Sequence, residues 1–143
     1  MNPADLFRQD SDPIVLAPGQ PLFREGDYGE EMFVLLEGEA NILAAGKLVD
    51  HVATGAIVGE MALIDKSPRS ASVIALTPCR LAKINMRRFN FLVQQNPFFA
   101  IHVMQVLAQR LRKMNQLVGT AAPVMVDPAI AHEALSAAQR ARA

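Results

Sequence analysis

Two charged residues nine positions apart, Glu60 and Arg69, each set among small and apolar neighbours, are where this chain could do chemistry. Ahead of Glu60 stands Gly59, and behind it Met61-Ala62-Leu63-Ile64 could form about one and a half helical turns. The first turn of a helix leaves backbone N–H groups without intrahelical partners, and the aligned peptide dipoles make that end positive. Gly59 lets a ligand approach that backbone with no side chain in the way. A polar loop, Asp65 to Pro68, then leads to Arg69, whose planar guanidinium can give an anion two parallel charge-assisted hydrogen bonds. Ser70 adds a hydroxyl donor, and the backbone N–H groups of Ala71 and Ser72 lie close by. The set suits one small anion such as phosphate.

Glu60 does not fit that anion on its own, because a carboxylate beside a phosphate is repelled. It fits if it accepts a hydrogen bond from a neutral hydroxyl on the ligand while Arg69 balances its charge. An anion joined to a hydroxyl-bearing sugar is a nucleotide. The plainer alternative is a structural ion pair between Glu60 and Arg69 on an ordinary loop.

The elements that must hold these residues can be read around them. Ile57-Val58 approaches the glycine as a short strand, and Val73-Ile74-Ala75-Leu76 resumes a strand pattern after Arg69. Short β segments are expected near residues 14–17, 21–24, 32–37, 39–45, 47–53, 57–59, 70–76 and 79–84, punctuated by Gly19, Gly26, Gly29, Gly38, Gly46 and Gly55. All these glycines except Gly59 are read as turn residues that need positive φ. Many short strands at close spacing predict a mainly β fold, an eight-stranded jelly-roll barrel or sandwich, with helices after it. Residues 3–9 are expected to form one or two helical turns with Leu6 and Phe7 as packing groups, and Asp10 to Pro13 breaks the chain. Asn85 is a plausible N-cap for a helix over 86–95 that puts Met86, Phe89, Leu92 and Val93 on one face. Pro97 marks the break before the longest helix, about 98–118. There Met104, Leu107, Leu111, Met114 and Val118 form a heptad-like seam that Ile101 could prolong. Residues 119–143 are rich in alanine and proline with little to bury, so a flexible tail is expected.

The composition agrees with one domain. A length of 143 residues with 51% hydrophobic and 20% charged side chains can bury a core. Lysine plus arginine and aspartate plus glutamate each number 14, which argues against a large nucleic-acid or membrane-surface footprint. No apolar run reaches the length of a membrane span and no signal-peptide pattern opens the chain, so a cytoplasmic location is expected. Cys79 is the single cysteine and reads as an inert buried thiol. His51, His102 and His132 are scattered, so no metal-ligand set or catalytic triad is apparent, and no enzyme activity or cofactor is expected.

Gly59-Glu60-Met61-Ala62-Leu63, followed by Pro68-Arg69-Ser70-Ala71-Ser72, resembles the phosphate-binding cassette of the cyclic nucleotide-binding domain family. The segments Gly19 to Phe23, Gly26-Asp27, Met32 to Leu35 and Glu37 to Ala40 fall in the order of that family's barrel, a double-stranded β-helix. The resemblance implies that Glu60 holds the ribose 2′-hydroxyl, and that Arg69 and the amides of Gly59, Met61 and Ala62 hold the cyclic phosphate. Ser70 and Ala71 follow in the same cassette. Val58 stands where family members often have an aromatic residue, a departure that touches the pocket wall. A threonine directly after the arginine often accompanies cGMP preference in the family; Ser70 keeps the hydroxyl without the methyl, so cAMP is favoured with cGMP as the alternative.

The resemblance further implies that the 98–118 helix closes over the base, with Arg110, Arg112 and Lys113 nearest that lid role, though each reads more readily as a solvated surface group. The same helix either lies across its own barrel or pairs with a second copy as a homodimer. No DNA-binding, channel or kinase segment is expected within these residues, so the output would pass through a separate protein effector, through dimerisation or through sequestering the nucleotide. Three classes stay open: a ligand-gated sensor, an interaction module with a silent pocket, and a regulatory component acting with a separate DNA-binding or transport protein.

Overall fold

The run Met32-Phe33-Val34-Leu35 has no polar member, which suits a strand covered on both faces. The computed structural model describes residues 2–120, with side-chain surroundings as far as residue 116. In it this run lies in β3 (Met32–Glu37), and all four residues are buried. One face of β3 turns into the space between two sheets. The other is covered by a 3₁₀ turn (Pro3–Phe7) and by α1 (Glu60–Asp65), both of which touch β3.

Eight strands make two four-stranded antiparallel sheets. The first runs β1 (Ile14–Leu16), β8 (Cys79–Ile84), β3, β6 (Ile57–Val58); the second runs β2 (Pro21–Phe23), β7 (Ser72–Ala75), β4 (Glu39–Ala44), β5 (Lys47–Ala53). This is the jelly-roll order. Among the described residues no ladder joins the two sheets, and the expected jelly roll is built as two facing sheets. Leu16, Phe33, Leu35 and Leu81 from one sheet meet Ala40, Ile42, Val52, Val73 and Ala75 from the other in a continuous core.

The strand limits differ from expectation beside the site. β6 ends at Val58 because Gly59 adopts φ 76°, and β7 begins at Ser72 rather than at residue 70. At the N-terminus the buried groups of the 3₁₀ turn are Pro3, Ala4 and Phe7, while Leu6 is only half-buried. Phe7 packs edge-on against Phe99 at 6.3 Å between ring centroids, and Phe89 meets Phe99 at 5.9 Å.

α2 (Met86–Gln95) has the expected cap: Asn85 Oδ1 accepts from the Arg88 N–H at 2.8 Å. Phe89, Leu92 and Val93 are half-buried, but Met86 is exposed. α3 (Pro97–Thr120) starts with proline in the first turn, where its missing N–H costs nothing. It continues through Gly119, two residues beyond the expected end. Its buried residues are Phe99 and Val103, one turn apart. The expected seam is therefore not its packing face: Ile101, Met104, Leu111 and Met114 are exposed, and the side chain of Val118 lies outside the described residues. The chain divides between Val106 and Leu107 into two compact units, the first holding both sheets, α1, α2 and the opening turns of α3. The expected alanine-rich tail lies almost wholly outside the described residues.

Phe99→Ala should lower unfolding stability by about 3–5 kcal/mol in urea denaturation, because three aromatic rings share that contact. Met104→Ala, on the exposed side of the same helix, should cost no more than about 0.5 kcal/mol. Equal losses would contradict this packing.

Candidate functional site

Gly59 turns the chain out of β6 in a left-handed conformation that only glycine adopts without strain, and Glu60 is the first residue of α1. The helix ends at Lys66, also left-handed, whose N–H donates to the Ala62 carbonyl at 3.0 Å. Asp65 then accepts from the Ser67 N–H at 3.0 Å and its hydroxyl at 2.5 Å. These bonds hold the Asp65 carboxyl below the ordinary range. The turn they make leads into Arg69.

The turn after β2 grips Arg69 by its backbone. Its N–H donates to the Asp27 carbonyl and its carbonyl accepts from the Gly26 N–H, both at 2.8 Å. The side chain runs back to the start of α1 and is 5% exposed. Nη1 donates to the Glu31 carbonyl at 2.7 Å and to the Gly59 carbonyl at 3.2 Å. Nη2 stands 3.7 Å from the Glu31 carboxylate. The guanidinium carbon lies 4.2 Å from the centre of the Phe23 ring and 5.7 Å from that of Phe33. Burial pulls the guanidinium below its usual range, while the Glu31, Asp27 and Glu60 carboxylates push it back. It stays charged, because arginine does not lose its proton in proteins.

Glu60 is 2% exposed. Among the described residues, Glu60 and Arg69 are the two charged residues buried along their whole length. Glu31 also pairs with Arg69, an acid that the plain ion-pair alternative did not include, and the Glu60 carboxylate acts on the same guanidinium. Gly59 is also small for a further reason: a methyl there would meet Arg69 Nη1 at 2.7 Å. Gly29 corrects an expectation. It has no positive φ, and a methyl on it would meet Arg69 Nη2 at 2.6 Å. Its smallness makes room for the guanidinium and not for a turn.

The remaining candidates are spread around this pair. Ala62 is buried beneath α1, and Met61 is 45% exposed. Ser70 is exposed, and its Oγ lies 3.7 Å from the sulfur of Met61. The Val58 side chain is in the core, paired with Phe33 across β6 and β3, and Ala71 packs on the same core. Arg110, Arg112 and Lys113 stand on the part of α3 that belongs to the second unit, Arg110 half-buried and the other two exposed.

Sequence reasoning missed Phe23, Gly29 and Glu31. Glu31 contributes chiefly a main-chain carbonyl, which no residue type announces. Away from the site, Cys79 is buried with its sulfur 3.2 Å from the Glu39 and Thr77 carbonyls, and burial pushes its thiol up. Among the described residues no cluster of three metal-ligating side chains occurs, and no helix is long and apolar enough to cross a membrane.

The pattern of the cyclic nucleotide-binding domain matches residues 13–96. Hyperpolarization-activated cyclic nucleotide-gated channel 3 of Mus musculus is 31% identical over 102 residues, 71% of this chain and 13% of the channel. A patatin-like phospholipase domain-containing protein of Caenorhabditis elegans is 27% identical over 115 residues, 80% of this chain and 8% of that protein. The chain thus spans a small fraction of the length of these curated relatives. A solved cyclic nucleotide-binding domain from Methylobacillus flagellatus superimposes with TM-score 0.68 at 28% identity, covering 78% of this chain and 68% of its own. The catabolite activator protein of Thermus thermophilus does so with TM-score 0.68 at 25% identity, covering 76% and 53%. With the two-sheet jelly roll and the Gly59 to Ser72 cassette in place, this chain belongs to the cyclic nucleotide-binding domain family.

Proposed function

We propose that this chain is a receptor for a cyclic nucleotide, cAMP in preference to cGMP, acting in the cytoplasm without catalysis. The observation that carries this reading is the burial of Glu60 and Arg69 together at the start of α1. Burying charge is costly unless it is compensated, so two such groups at one helix end suit a ligand that carries both an anion and hydroxyls. Arg69 and the first amides of α1 take the cyclic phosphate, and Glu60 accepts from the ribose 2′-hydroxyl.

The signal leaves through the C-terminal helices to a separate protein effector or to a second copy of the chain. Phosphate draws α1 inward, α2 follows, and the opening turns of α3 move with it through the Phe89–Phe99 contact. The ligand shifts that equilibrium only by its differential affinity for the two states. The exposed residues of α3, with Met104, Leu111 and Met114 among them, offer an apolar face for a homodimer. One observation favours a second reading, an interaction module with a silent pocket: Arg69 is already held by two carbonyls and Glu31.

A thermal shift assay with cAMP, cGMP and linear 5′-AMP separates the two. Ligand at a hundredfold its Kd should add about 2.7 kcal/mol, a rise of at least roughly 2 °C for a domain of this size. No rise with either cyclic nucleotide would favour the silent pocket. Arg69→Lys keeps the charge but loses the planar fork, and should remove most of the rise. Arg69→Ala is a poorer probe, because it would also strip the buried Glu31 and Gly59 carbonyls of their donor. In wild-type protein, 2′-deoxy-cAMP should bind about tenfold or more weakly than cAMP, the worth of one hydrogen bond to a charged group. Equal affinities would remove Glu60 from ribose recognition.

A further inference from the structure

The cassette from Gly59 to Ser72 does not hold its own arginine in place unaided; the turn after β2 and the residue before β3 share the task. A free arginine side chain samples many rotamers, and an anion that binds it must order it first. Here the ordering is already done. The Asp27 and Gly26 bonds fix the main chain of Arg69, and the Glu31 and Gly59 carbonyls take both hydrogens of Nη1. Those contacts fix one end of the guanidinium. They leave the tilt of its plane to whatever lies against its face, and the nearest such group is Phe23.

We infer that Phe23 is a positioning residue for anion binding: its ring supports the Arg69 guanidinium and aims the Nε–Nη2 edge toward the ligand. The inference rests on the functional reading above and adds to it a residue outside the cassette. Three observations support it. The guanidinium carbon stands 4.2 Å from the Phe23 ring centre, well within cation–π range, and the guanidinium is almost wholly out of water, where that attraction is strongest. Phe23 is itself braced by Phe33, with ring centres 6.0 Å apart, so the platform is rigid. Gly29 and Gly59 carry no Cβ on the approaches to the same group, at positions where one would fall 2.6 Å and 2.7 Å from Nη2 and Nη1. Phe23 sits in β2 opposite Val73 of β7, the strand that follows Arg69, so one sheet fixes both the ring and the guanidinium.

The ring needs its π face and not merely its bulk. Phe23→Tyr keeps the face; Phe23→Leu keeps most of the volume and loses it. By calorimetric titration at a temperature well below unfolding, Phe23→Leu should weaken cAMP binding about tenfold, and Phe23→Tyr should stay within about twofold of wild type. A core residue without this role would alter melting temperature and leave Kd unmoved. The second readout needs no nucleotide: the Nε–H resonance of Arg69 in ¹H–¹⁵N spectra of the free protein. In wild type and Phe23→Tyr it should be shifted by the ring current and protected from exchange with water. In Phe23→Leu it should move to the position typical of solvated arginines, and Arg69→Lys assigns it by removing it. Unchanged affinity in Phe23→Leu overturns the inference. So does an Arg69 resonance that does not respond to loss of the ring. If wild-type protein binds neither cAMP nor cGMP, the receptor reading fails, and the resonance alone decides whether Phe23 positions Arg69.

Discussion

The burial of the Arg69 guanidinium is the constraint around which this end of the molecule is built. Removing a full charge from water is expensive, and the expense is offset only by well-placed partners. The chain supplies two carbonyls, a carboxylate and an aromatic face, from three separate parts of the fold. The Glu31 carbonyl lies just before β3, Gly59 caps α1, and Phe23 ends β2. Two glycines supply the room. No single strand or helix could make this environment, so the site exists only when both sheets are assembled.

That arrangement also shapes how the site could respond. Nη1 is engaged by the protein itself, so a ligand anion meets an arginine that is ordered and desolvated, with little left to lose on binding. The Gly59 carbonyl belongs to the residue that starts α1, so any shift of the guanidinium is felt at the helix. β3 carries the connection further, since it touches both α1 and the N-terminal 3₁₀ turn. Phe7 of that turn packs on Phe99, which packs on Phe89 of α2. Arg88 adds a tie, with its guanidinium carbon 4.9 Å from the Phe7 ring centre and Nη1 donating to the Lys83 carbonyl at 2.8 Å. Contiguous packing of this kind gives a route by which the helices can follow α1.

Much of this was legible in the sequence wherever the signal was local. The eight strands were expected within one or two residues at nearly every end, because glycine turns and short apolar runs mark them. Asn85 and Pro97 placed the helix starts through cap chemistry. Glu60 and Arg69 stood out because charged residues are rare among small apolar neighbours. What failed depended on distance in three dimensions. The role of Gly29 comes from a side chain forty positions later, and it was read as a turn. Phe23 looked like any strand aromatic. The heptad spacing of Met104, Leu111 and Met114 left open whether the α3 seam lies on its own barrel or on a second copy, and Phe99 and Val103, outside that seam, are what the fold buries. Periodicity shows that a helix has an apolar stripe, and only tertiary structure decides which stripe is covered.

The central claim is that Arg69, held in its aromatic and carbonyl setting, receives the phosphate of a cyclic nucleotide beside α1. The measurement that tests it most directly is a crystal structure of the protein grown with cAMP. The account predicts the cyclic phosphate within hydrogen-bonding distance of the Arg69 Nε–Nη2 edge and the first amides of α1, with the ribose 2′-hydroxyl on Glu60. A nucleotide bound elsewhere, or an Arg69 still engaged only by Glu31 and Gly59 while ligand is present, would contradict it.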